Sequence, residues 1–137
     1  MRTTSTLAAL ALTSVVLVTG CSEVKDAASD RASAAACSVT QKAVDGVAGQ
    51  VDNAIDEIGA DPAAAKKKLS GLRDVLETAQ SGISGDAKEK LAQAADALGT
   101  LAGEAGDAAK GADIDTSAVD NAKFAFGDAI DGVRDFC

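Results

Sequence analysis

An all-α protein, built as a small up-down-up-down four-helix bundle, is what this chain of 137 residues predicts. Three observations lead there. From about residue 38 onward, apolar residues recur at steps of three and four, the spacing of one face of an α-helix. That pattern is interrupted at Gly59–Pro62, Ser81–Ser84 and Lys110–Asp115, where helix stop and start residues cluster. Nowhere do β-branched residues alternate with polar ones over a strand's length, so strands are not expected.

In the first helix Val44, Val47, Val51, Ile55 and Ile58 form the apolar stripe, and Gly59 is the expected stop. Asp61-Pro62 opens the second. An Asp side chain can accept from the free N–H groups of a first turn, and Pro fits the first helical position. Ala65, Leu69, Leu72, Leu76 and Ala79 continue that helix toward Ser81-Gly82. Ser84 is the candidate cap of the third, with Asp86 and Glu89 near its positive end. Its stripe is Ala87, Leu91, Ala94, Leu98, Leu101 and Ala105, and Lys110-Gly111 closes it. In the fourth, Asp115 is the cap, and Ile114 and Val119 occupy the two positions of a hydrophobic staple. Val119, Ala122, Phe126, Ile130 and Val133 line its inner face. The short connections favour antiparallel neighbours.

Composition narrows function. The formal charge is −8, and the chain has three Phe with no Trp or Tyr. An acidic surface repels nucleic acid, which proteins bind by neutralising phosphate, so no nucleic-acid partner is expected. The basic run Lys66-Lys67-Lys68 sits in a helix's first turns and is read as a solvated face. There is no His, which removes the commonest general base and metal ligand. Asp113-Ile114-Asp115 has the opening of a calcium loop, but Ala118 stands where Gly is needed and Phe124 where the bidentate Glu belongs. Asp128, Asp131 and Asp135 are read as a solvated acidic stripe, and Gly99 and Gly103 as part of a small-residue packing seam. No cofactor, metal site or enzymatic activity is expected. Phe124 points away from the predicted stripe. It is a candidate exposed contact, or it packs against a helix end or the segment preceding the bundle.

The amino end carries an address. Leu7–Val18 is an uninterrupted, mainly apolar stretch of 12 residues after a short segment containing Arg2. A membrane-spanning helix needs about 20, whereas a dozen suits the hydrophobic core of a signal peptide. Val18-Thr19-Gly20-Cys21 follows, and it resembles the lipobox of bacterial lipoproteins. That resemblance covers residues 1–21 only. It implies cleavage after Gly20, recognition through Val18, Thr19 and Gly20, and a diacylglyceryl group on the Cys21 thiol. The implied organisation is a signal peptide at 1–20, a lipidated tether at 21–36 and a helical domain at 37–137. Residues 22–36 contain one large apolar residue, Val24, and read as a tether or as a frayed extension of the first helix.

If Cys21 carries lipid, Cys37 and Cys137 remain as an even pair, and export places them where a disulfide persists. In an up-down-up-down bundle the start of the first helix and the finish of the fourth share an end, so the topology can bring these thiols together. Free or intermolecularly bonded thiols are the alternative. The expected function is that of a protein lipid-anchored outside the bacterial cell membrane, with a non-enzymatic protein-binding or structural role toward an envelope partner. The alternative is a carrier of a lipid or other small apolar ligand, which would require a contiguous apolar cavity of several hundred Å³.

Overall fold

In a computed structural model of the chain, described for residues 22–137, four α-helices form an all-α bundle: α1 (Ser22–Ala60), α2 (Pro62–Gln80), α3 (Asp86–Ala108) and α4 (Thr116–Phe136). Side chains are described from residue 33. The apolar stretch Leu7–Val18 and the motif ending at Cys21 lie outside the described residues.

Of the two readings of residues 22–36, a tether or an extension of the first helix, the structure has the extension, helical from Ser22 and continuous with the rest of α1. Its six alanines, with no Gly or Pro, supply nothing to break a helix once Cys37 and the following turns nucleate it. The boundary at residue 37 is therefore a point of packing and not of secondary structure. At 1.5 Å per residue the 39 residues of α1 span about 58 Å, against about 29–35 Å for the others. Because Ala35–Ala43 lie beside Val75–Gly82 at the far end of α2, the earlier residues of α1 project beyond the bundle by about 20 Å.

The helix ends follow local chemistry, with two corrections. Gly59 does not stop α1, which continues to Ala60. The break comes at Asp61, because Pro62 disfavours helical backbone in the residue before it, and Asp61 sits at φ −143°, ψ 80°. Its Oδ1 accepts from the Ala64 N–H at 3.0 Å, so one residue ends α1 and caps α2. Ser84 is not the cap of α3. Gly85 holds that position with φ 67° and ψ −151°, backbone that favours glycine over any side chain. Lys110-Gly111 forms the turn just past Ala108, where Gly111 takes φ 91°. At α4 the expected cap and staple are both present. Asp115 Oδ1 accepts from the N–H groups of Ser117 and Ala118 at 3.0 and 3.1 Å, while half-buried Ile114 packs on the core that contains Val119. Asp115→Ala should cost about 0.5–2 kcal/mol of unfolding free energy in urea titration; a loss below 0.2 kcal/mol would deny the cap any role.

The core is the set of predicted stripes, with one exchange on α1 and additions on α3 and on α4, where Ala129 is also buried. On α1 the buried row is Val44, Val47, Val51, Ala54 and Ile58, with Ile55 half-buried at its edge. On α3, Ala95, Ala97, Ala102 and Gly106 are buried in addition to the predicted stripe. This helix closes seams with both α2 and α4, so apolar residues cover a wider arc than one seam would require. Small side chains let these backbones approach closely. Thr40 is the sole buried polar residue among those described, and no buried side-chain polar atom there lacks a partner.

Glycines mark where long cations lie across the seams. A Cβ on Gly132 would meet Lys90 Cδ at 2.9 Å, one on Gly106 would meet Lys66 Cδ and Nζ at 3.3 Å, and one on Gly99 would meet Arg73 Nη1 at 3.3 Å. At Gly132 the aliphatic stem of Lys90 covers the seam, whereas at Gly106 and Gly99 the ammonium end of Lys66 and the guanidinium of Arg73 themselves lie against the helix. Gly103 has nothing within 4 Å of an added Cβ and is exposed, so Gly99 and Gly106, not Gly99 and Gly103, are the pair that serves the α2–α3 seam. Gly49 on α1 has equally open surroundings. Gly49→Ala should therefore stabilise the fold by about 0.5–1 kcal/mol through helix propensity, read as a rise in thermal midpoint, and a fall would contradict this.

Candidate functional site

The seams of the bundle are unequal. Helices α2, α3 and α4 pack closely in sequence order, and α1 packs chiefly on α2, whereas α1 approaches α3 and α4 at few positions. The α1–α4 seam is instead bridged by specific links. At one end the structure joins Cys37 near the start of the packed part of α1 to Cys137 after α4, with Cα atoms 5.2 Å apart across a sequence separation of 100. Along the seam Arg134 donates to Asp45 at 2.9 Å and to Asp131 at 3.0 Å, and Lys123 Nζ lies 2.8 Å from Asp52. The hydrogen bond to Asp45, then the hydrogen bond to Asp131 and the charges of both, raise the Arg134 guanidinium above its ordinary value, against the opposing effect of burial. Asp52, helped by the charges of Asp56 and Asp120, raises the Lys123 ammonium likewise. Both cations remain charged at neutral pH, but these exposed pairs are individually weak and salt-sensitive. Beside them a half-open surface cleft of about 220 Å³ is lined by Ala48, Val51, Phe126, Gly127 and Ile130, among others.

Two surface features lie away from that seam. The first is an apolar groove of about 670 Å³ between α1 and α2, open to solvent, with Val39 67% and Val75 43% exposed on its two walls and Ala35, Ala43 and Ala79 between them. The second surrounds Phe124 on α4, which is 78% exposed. Of the two expected settings for this ring, contact with a helix end or preceding segment and exposure to solvent, the structure has the second. At the end of the bundle where the cysteines meet, Phe136 is also 53% exposed, beside Cys137 and Ile83.

The structure thus brings together Cys37 and Cys137 and leaves Phe124 alone on the outer face of α4. Val18, Thr19, Gly20 and Cys21 lie outside the described residues. Of the lysine run, Lys68 is bound to Glu57 of α1 at 2.6 Å, Lys66 lies over Gly106, and Lys67 is exposed. Asp131 and Asp135 are exposed as expected of a solvated stripe, as is Asp128. Among the described residues no group of three or more His, Cys, Asp or Glu is arranged to hold a metal ion, and no helix is long and apolar enough to cross a membrane. The α1–α2 groove and the two α1–α4 ion pairs were not anticipated from the sequence. A signal for the groove existed: Val39 and Val75 fall beside their helices' stripes, at positions where a polar residue is expected. The ion pairs left none, because Asp45 and Arg134 are 89 residues apart.

Fold and site together define a class, a small acidic four-helix bundle joined end to end by its first and last helices. No family model, known protein or solved structure matches the chain significantly.

Proposed function

We propose that this is a lipoprotein anchored outside the bacterial cell membrane through Cys21, whose bundle has a non-enzymatic protein-binding or structural role. Cysteine arithmetic supports it most directly. Cys37 and Cys137 lie at bonding distance, which accounts for two of three thiols and leaves Cys21, at the lipobox position, as the odd one. A bond of that kind persists in oxidising compartments and rarely in the cytosol. The projecting start of α1 suits a spacer that holds the bundle away from a surface. A protein-binding role is favoured by a filled interior together with an exposed aromatic ring and an exposed apolar groove.

The carrier alternative draws on one observation, the volume and apolar walls of the α1–α2 groove. That groove is open along the surface, whereas a carrier site encloses most of its ligand.

Intact-mass analysis of the membrane fraction from the native host tests the anchor and the thiol pairing together. The expected species begins at Cys21, carries acyl adducts and lacks two hydrogens relative to the reduced bundle. Full-length protein in the cytosol with an unmodified Cys21 would overturn the address and the role with it.

A further inference from the structure

Phe124 is the most exposed large apolar side chain among the described residues. Its neighbours in the helical row are acidic: Asp120 four residues before, Asp128 four after, and Asp131 a further turn on. A depression of about 470 Å³ is lined by these residues with Lys123 and Gly127, all from α4. Gly127 lies in the same lining, and a Cβ there would meet nothing within 4 Å. The one cation in the lining, Lys123, is committed to Asp52 of α1, and Asp131 accepts from Arg134. Asp120 and Asp128 accept no hydrogen bond and form no ion pair among the described residues. The Phe124 ring therefore stands between two carboxylates that no cation of the described residues binds directly, although Asp120 adds its charge to the field around Lys123.

We propose that this face of α4 docks a basic segment of a partner protein, one that carries Arg or Lys side chains about 6 Å apart. The proposal rests on the protein-binding reading above and specifies the chemistry of the partner. Charge complementarity selects that occupant. A purely apolar partner would desolvate Asp120 and Asp128 without compensation, and an anionic one would meet a chain of net charge −8. A guanidinium can stack on the Phe124 ring while its neighbours pair with the flanking carboxylates. The four-residue spacing of Asp120, Phe124 and Asp128 puts them about 6 Å apart along the helix. Every fourth residue of a partner helix, or alternate residues of an extended one, matches that interval. The row from Asp120 to Asp131 is about 16 Å long, so it engages several cations fixed on one backbone. Long-range attraction between opposite charges would speed the encounter and make it salt-dependent.

The test is a titration of the isotopically labelled full chain with a synthetic helical peptide bearing arginine at every fourth residue, followed by backbone amide shifts. Shifts should be confined to α4 around residues 120–131 and should weaken as salt is raised. Phe124→Ala, an exposed change that leaves the core intact, should weaken binding about tenfold or more, and Asp120→Asn with Asp128→Asn should do the same. Shifts spread over acidic residues of all four helices, unchanged binding by these variants, or equal binding of spermine would overturn the proposal. Site-specific photo-crosslinking in the native envelope separates this failure from failure of the broader reading. A protein crosslinked from position 75 but not from 124 sinks the α4 face alone. No protein crosslinked from either position sinks the protein-binding role as well.

Discussion

Reducing the Cys37–Cys137 bond, or replacing both cysteines by serine, should lower stability by about 3–5 kcal/mol and the thermal midpoint by on the order of 10–20 °C. The separation of 100 residues makes the closed loop almost the whole bundle, so the unfolded chain loses much of its freedom when the link is present. The effect should also be directional. The α2–α3 and α3–α4 seams are closed by buried Leu and Ala, whereas the α1–α4 seam has fewer close approaches and adds the sulfur link and two exposed ion pairs to its apolar contacts. In the reduced protein, amide exchange should accelerate first in α1 around Cys37–Val51, while α3 keeps its protection. High salt should add to the loosening by screening Asp45–Arg134 and Asp52–Lys123. Melting curves with and without reductant, followed by circular dichroism, check the first part. A reduced protein that melts within 2 °C of the oxidised one would show that packing alone holds α1 in place.

Leu98→Ala should be the most damaging single core truncation of its kind, with a loss of about 2–5 kcal/mol. Leu98 is fully buried on α3, the helix that meets both α2 and α4. Much of the core around it is Ala, as at positions 94, 95, 102 and 105, and short side chains cannot swing inward to fill the space left behind. The cost of a cavity grows with the volume that fails to collapse. Urea titration should show a lower midpoint with an unchanged slope. Val75→Ala, on the exposed wall of the α1–α2 groove, is the matched control and should cost under about 0.5 kcal/mol. Near-equality of the two variants would mean that α3 is not the centre of the core.

Residue by residue, the stripes were the most legible feature. Leu69, Leu72 and Leu76 on α2, and Val119, Phe126, Ile130 and Val133 on α4, are buried where their spacing places them. Caps that depend on one side chain, Asp61 and Asp115, were equally readable, because their partners lie two or three residues away. Misreadings came where two local signals competed. Gly59 is a good terminator, but Pro62 acts on Asp61 with a steric restriction that Gly59 does not impose. Ser84 is a good cap, but the turn requires a positive φ at the next residue, which selects Gly85. Residues 22–36 left two readings open, a tether or an extension of the first helix, because a lack of large apolar residues reads as a lack of structure although Ala-rich sequence continues a helix readily; the structure has the helical extension.

By itself the sequence determined how many helices form and which side of each turns inward. Those properties come from hydrogen bonds and side-chain periods within a few residues of each other, so they are written in consecutive letters. Only the tertiary structure decided which seams close by packing and which by links, that Lys90, Lys66 and Arg73 lie over Gly132, Gly106 and Gly99, and that Phe124 stands clear of its neighbours. Seam width depends on which small residues face each other across helices distant in the chain, and no spacing within one helix encodes that pairing.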